Sequence, residues 1–151
     1  MNPLHTLLVH GVGFGDAALL AVRAAVGGFF VVSGAHKLFN ATRRQDLRQT
    51  FAADGVTFPP MIYLVPSAEL LGGLGVAFGA LTFFAAIGLA ALCLGALALD
   101  GLKRIPSMKP LDAIDRIDDL LYLPEVLYVV CLLPVLSFGP GAYSLDSLIW
   151  R

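Results

Sequence analysis

Four blocks of apolar residues, each nearly as long as a bilayer core is thick, leave this chain few folds to adopt. They cover about 15–38, 61–81, 82–99 and 120–138. A hydrocarbon core of roughly 30 Å takes about 20 residues of helix at 1.5 Å each. The apolar residues fall in blocks rather than in half-apolar stripes, the pattern of lipid-embedded helices. Composition agrees: 58% of residues are hydrophobic and 14% charged, against roughly half and a quarter in soluble domains. The expected fold is all-α, a four-helix transmembrane bundle forming a single membrane domain over 1–151.

The second and third blocks meet with almost no polar linker, so they should form a tight helical hairpin turning near Thr82. The stretch from Phe39 to Pro60 reads as a polar connection, and Pro106 to Pro110 breaks the third helix. With four crossings, the loops after the first and third spans share one side. That side carries Lys37, Arg43, Arg44, Arg48, Lys103, Arg104, Lys109 and Arg116, whereas the other has Arg151. By the positive-inside rule these loops are cytoplasmic and both termini lie outside, in a cell's inner membrane. Leu111, Ile114, Ile117 and Leu120 share a helical face, so 110–120 is either a short interfacial helix on the cytoplasmic surface or a solvated linker. Met1 to Gly15 lacks the basic start of a secretory signal, and the first span is expected to serve as the insertion signal.

A net charge of −1 and a pI near 6.2 give no footprint for nucleic acid. Cys93 and Cys131 stand alone near mid-bilayer, where a thiol keeps its proton, and read as small core residues. His5, His10 and His36 have no spacing that suggests a metal or haem site on facing helices.

Ionisable groups inside the apolar blocks carry the functional signal, because an arginine at depth costs at least about 2.5–3.5 kcal/mol unless enclosed and partnered. Arg23 lies in the first block and Glu69 in the second, and the two are expected to face each other inside the bundle. That pair reads equally as a lock on helix register or as a ligand or proton site. Glu125 lies on the cytoplasmic half of the fourth block. His36, Lys37 and Asp100 belong to the cytoplasmic end, with Lys37 and Asp100 snorkelling or pairing there. Gly27 and Gly34 lie on the Arg23 face, and Gly72, Gly73 and Gly79 on or beside the Glu69 face; such small residues let helices approach closely.

Arg23, Gly27, Phe30, Gly34 and Lys37 in the first span, Gly55 and Pro59 before the second, and Glu69, Gly72, Gly73 and Gly79 within it form an ordered set. With Glu125 and the closing Gly139-Pro140-Gly141-Ala142-Tyr143-Ser144-Leu145-Asp146, the chain resembles the DoxX family of small four-helix membrane proteins. The resemblance implies a membrane subunit of a redox system, binding or adjoining a quinone within the bundle through Arg23, Glu69 and Glu125, with a larger redox enzyme as partner. A quinone head accepts hydrogen bonds and protons, which suits a cationic donor and a carboxylate in an apolar cavity. Two other roles stay open: a non-catalytic assembly or anchoring subunit of a membrane complex, and a small-molecule or proton carrier. Association as a homo-oligomer is also open. Asp100 stands where relatives often place other polar residues, and no cofactor ligand set is evident.

Overall fold

The computed structural model describes residues 13–56, 58–108 and 112–150, so the amino-terminal stretch with His5 and His10, as well as Lys109, Pro110, Leu111 and Arg151, lies outside it. The described residues are helical with no strand. Helix α1 spans Gly15–Phe39, α2 Ala41–Ala53, α3 Met61–Phe78 and α4 Thr82–Ala96. A π-helical turn, Leu97–Gly101, and the short segment Leu102–Arg104 continue α4 before the 3-10 turn Ile105–Met108. Helix α5 spans Ala113–Leu121, α6 Pro124–Phe138 and α7 Leu145–Ile149.

Three stretches are long and apolar enough to cross a membrane: Gly15–Phe39, Met61–Phe78 and Thr82–Arg104. Helix α6 qualifies only together with α5, from which it is bent by 63°. Alone its 15 residues reach about 22 Å. The fourth apolar block, expected to be helical from 120, is broken at Tyr122 and Leu123. There Leu123 is extended and Pro124 opens α6, its fixed φ and missing N–H suiting a first helical position. The linker expected over 39–60 contains a polar helix instead. Asn40 caps α2 by accepting from the Thr42 and Arg43 amides, a start signal that the charge-rich sequence obscured. The segment over 110–120 is helical from Ala113, capped by Asp112, with Ile114 and Ile117 exposed along it.

Helix α1 packs along α3, α3 against α4, α4 against α6, and α6 returns to α1. The tightest seam is between α1 and α3. A Cβ on Gly27 would stand 2.6 Å from the Ala77 nitrogen, and one on Gly34 2.6 Å from the Leu70 nitrogen and the Pro66 oxygen. Backbones touch there because no side chain intervenes, as expected of small residues at a helix–helix contact. The core of Val26, Phe30, Val76, Ala86, Leu89, Cys93, Leu132 and Val135 fills the space between the four helices. Outside it the bundle stays apolar, with Val32, Leu71, Phe84, Leu94, Val130 and Leu133 exposed, a surface suited to lipid.

Candidate functional site: the Lys37–Glu69 cavity

The glycine seam fixes an antiparallel register between α1 and α3, and that register decides which charges meet. With Gly27 against Ala77 and Gly34 against Leu70, Arg23 comes level with Gly79 and Glu69 level with Ser33 to Lys37. Arg23 and Glu69 are therefore not partners, contrary to the sequence-based expectation. Ten residues of α3 separate Glu69 from the level of Arg23, about 15 Å of helix, too far for their side chains to join.

Arg23 is 1% exposed and points to the closing segment of the chain. One terminal nitrogen donates to the Pro140 carbonyl oxygen and the other to that of Tyr143 at 2.6 Å, while Nε has no partner. The same segment is held at two more points. Asp16 Oδ1 accepts from the Ala142 amide at 2.9 Å, and Asp146 reaches across to the start of α4. There Leu81 adopts φ 47° in the cap position, and its apolar side chain leaves α4 with no side-chain cap of its own. Asp146 supplies one from a distance, accepting from the Leu81 and Thr82 amides at 2.8 Å and from Thr82 Oγ1 at 2.7 Å. Burial pushes the Asp146 carboxyl up, but those three hydrogen bonds and the Arg23 charge outweigh it and hold the group below its usual value. The GPGAYSLD ending is thus a clasp: Gly139 and Gly141 take positive φ to turn the chain, two carbonyls receive Arg23, and Ser144 caps α7.

At the other end Glu69, 8% exposed, is gripped by Lys37, whose Nζ donates to both carboxylate oxygens at 2.6 and 2.7 Å; Ser33 Oγ adds a bond at 3.2 Å. Lys37 was expected to snorkel or to pair with Asp100 at the interface; its side chain instead runs inward to Glu69. Asp100 pairs with Arg104 one helical turn on, at 3.1 Å, and Arg104 also donates to Glu125. His36 faces Asn40 at 3.3 Å and lies away from the ion pair's partners. Sequence reading passed over Arg104 as a loop charge. Its i, i+4 spacing from Asp100 was the available signal.

The pair borders a cleft of about 130 Å³ lined by Phe29, Phe30, Ser33, Cys93, Glu125 and Tyr128, among others. Its aromatic wall is ordered: Phe29 stacks on Tyr128 with ring centroids 4.3 Å apart, and Phe30 lies 5.3 Å from both rings. Phe29 is also exposed to the bundle's outer surface, so the wall separates the cleft from the lipid side. Because α6 starts late, Glu125 sits in its first turn beside the cleft, a favourable place for an anion. One of its oxygens, Oε2, is buried without a hydrogen-bond partner. The cleft thus joins a cation, two carboxylates, a hydroxyl, a phenol and aromatic faces. Such a set can bind a planar polar ring and exchange protons with it. Among the described residues no cluster of ligating side chains fit for a metal occurs.

A family model described as DoxX matches residues 18–100, more than half of the chain. The chain belongs to the DoxX family. It is a multi-pass DoxX membrane protein, and the matched stretch contains Arg23, Ser33, Lys37 and Glu69 but ends before Glu125 and the clasp. Comparison with curated proteins and with solved structures finds no match. Within this DoxX protein the elements that position Lys37 and Glu69, the glycine seam between α1 and α3, fall inside the matched region.

Proposed function

We propose that this DoxX protein is a membrane subunit of a redox system that binds a quinone head in the Lys37–Glu69 cleft. In this reading four spans cross the inner membrane with both termini outside, α6 completing the bundle as a short fourth span. The observation that carries it is the union of a half-buried Lys37–Glu69 pair with an aromatic wall exposed on the bundle's outer surface at Phe29. A quinone arrives through the bilayer, stacks on aromatic side chains, and accepts hydrogen bonds at its carbonyl oxygens. Ser33, Lys37 and Tyr128 are donors bordering the cleft, and Glu69 and Glu125 are the carboxylates that can take up or deliver protons. Arg23 has no part in the site, since it serves the clasp.

Titration of purified protein in lipid nanodiscs with short-chain ubiquinone and menaquinone analogues tests this reading. Saturable binding that weakens at least tenfold in Glu69→Gln is expected; no saturable binding, or binding indifferent to Glu69→Gln, discards it. An anchoring role is the second reading, favoured by helix α2, which has no buried residue and presents Arg43, Gln45 and Arg48 outward. A larger enzyme that co-purifies and keeps its turnover in Glu69→Gln supports anchoring over quinone binding.

A further inference from the structure

Behind the Lys37–Glu69 pair lies a second cavity, of about 290 Å³, which the quinone reading does not use. Its roof is helix α2. That helix is polar overall, but Leu47, Thr50, Phe51 and the following Asp54 follow i, i+3, i+4, i+7 spacing and line the cavity together. Leu47 and Phe51, the largest apolar side chains of α2, are only half-buried, so the helix lays its apolar stripe over unfilled space. The floor and walls come from Met61 and Val65 of α3 and Leu92, Gly95 and Leu99 near the end of α4. The volume is close to the lower end of cavities that hold small organic ligands, roughly 300–1,000 Å³.

The cations in and around this cavity are already engaged, Lys37 with Glu69, Lys103 with Asp54 and Arg104 with Asp100. Asp54 has a side chain only 7% exposed; Lys103 donates to its Oδ1, while Oδ2 is buried with no partner. Asp100 lines the same cavity, and Glu69 closes its inner end with Lys37 already bonded to both of its oxygens. A buried carboxylate oxygen without a donor costs free energy until something supplies one. The occupant must therefore bring an N–H or O–H group, and a charged donor makes the stronger bond to a carboxylate oxygen.

We propose that the cavity beneath α2 is a second ligand site, for a small apolar molecule carrying a protonated amine. The apolar body packs between Leu47, Phe51, Met61 and Leu99, and the ammonium donates to Asp54 Oδ2. The Lys37–Glu69 pair borders both cavities.

The experiment compares 4-phenylbutylamine with its neutral counterpart 4-phenylbutanol, by calorimetric titration of the full chain in nanodiscs. The amine is expected to bind saturably and at least tenfold more tightly than the alcohol. Asp54→Asn is expected to remove that preference. Because Asp54→Asn also loosens the bond to Lys103, a second variant keeps the test sharp. A Cβ on Gly95 meets nothing within 4 Å, so Gly95→Leu can fill the cavity without disturbing the bundle, and it is expected to abolish amine binding. No saturable binding, equal affinity for the alcohol, or amine binding that survives Gly95→Leu in folded protein overturns the proposal.

Discussion

The two ends of this bundle both enclose charge, and they use it in opposite ways. At the clasp end Arg23 is enclosed by backbone carbonyls, and Asp146 by backbone amides and a hydroxyl, so the charges are bonded to the fold itself. At the Lys37–Glu69 end charges pair directly with other side chains beside cavities, and Asp54 and Glu125 each keep a buried oxygen without a partner. Charge bonded to main chain is hard to redeploy and fixes architecture. Charge bonded to side chains beside a cavity can exchange partners with a ligand. A buried ionisable residue is therefore informative about function only once its partners are known.

Four substitutions sharpen that contrast. The largest effect is expected for Gly79→Ala. The residue sits at φ +69°, and a Cβ there would stand 2.5 Å from the Ser144 Cβ. The left-handed backbone and the clash together should cost about 3 kcal/mol, seen as a drop in thermal midpoint in detergent. Any folded fraction should still bind quinone, because the clasp lies away from the cleft.

Next comes Lys37→Met, which leaves the Glu69 carboxylate without its cation. Removing one partner of a fully buried pair costs about 3–5 kcal/mol. With the Lys37 side chain 30% exposed, about 1–3 kcal/mol is expected here, together with at least tenfold weaker quinone binding. Unchanged binding in Lys37→Met would erase the functional distinction between the two ends.

Smaller still is Asp146→Asn, about 1 kcal/mol for a weakened cap. Because the folded protein holds this carboxyl below its usual value, its charge contributes stability that is complete above the usual value near 4. That contribution disappears as pH falls through the lower folded value. Acid unfolding curves should show the decrement in the parent chain and lack it in Asp146→Asn. The smallest effect is expected for Ile117→Ser on α5. The exposed side chain should change stability by less than about 0.5 kcal/mol while weakening contact of α5 with the bilayer surface, seen as less quenching of a fluorophore on α5 by quencher-bearing lipid headgroups in nanodiscs.

Helix positions were legible because long apolar blocks and prolines mark them. The spans beginning at Gly15, Met61 and Thr82 are where the sequence puts them. The break before α6 was not legible, since Leu123 and Pro124 sit in continuous apolar sequence and a proline suits the first turn of a helix as well as its interruption. Arg23 and Glu69 were recognised as needing enclosure, and both are enclosed. Their partners were missed because pairing depends on helix register. The close contacts of Gly27, Gly34 and Gly73 show that register. Carbonyl oxygens as partners for Arg23 leave no trace in side-chain identity. Asp54 escaped notice because it lies in a polar stretch, and its burial comes from the fold of α2 over the cavity.

Where a photoreactive short-chain quinone attaches is the most direct test of placing ligand chemistry at Lys37 and Glu69 rather than at Arg23. After illumination in nanodiscs, peptide mapping should find label on Phe29, Leu92 or Tyr128, and excess unlabelled quinone should suppress it. Label concentrated beside Arg23, Gly79 and Tyr143, or spread along the lipid-facing surface without competition, would contradict it.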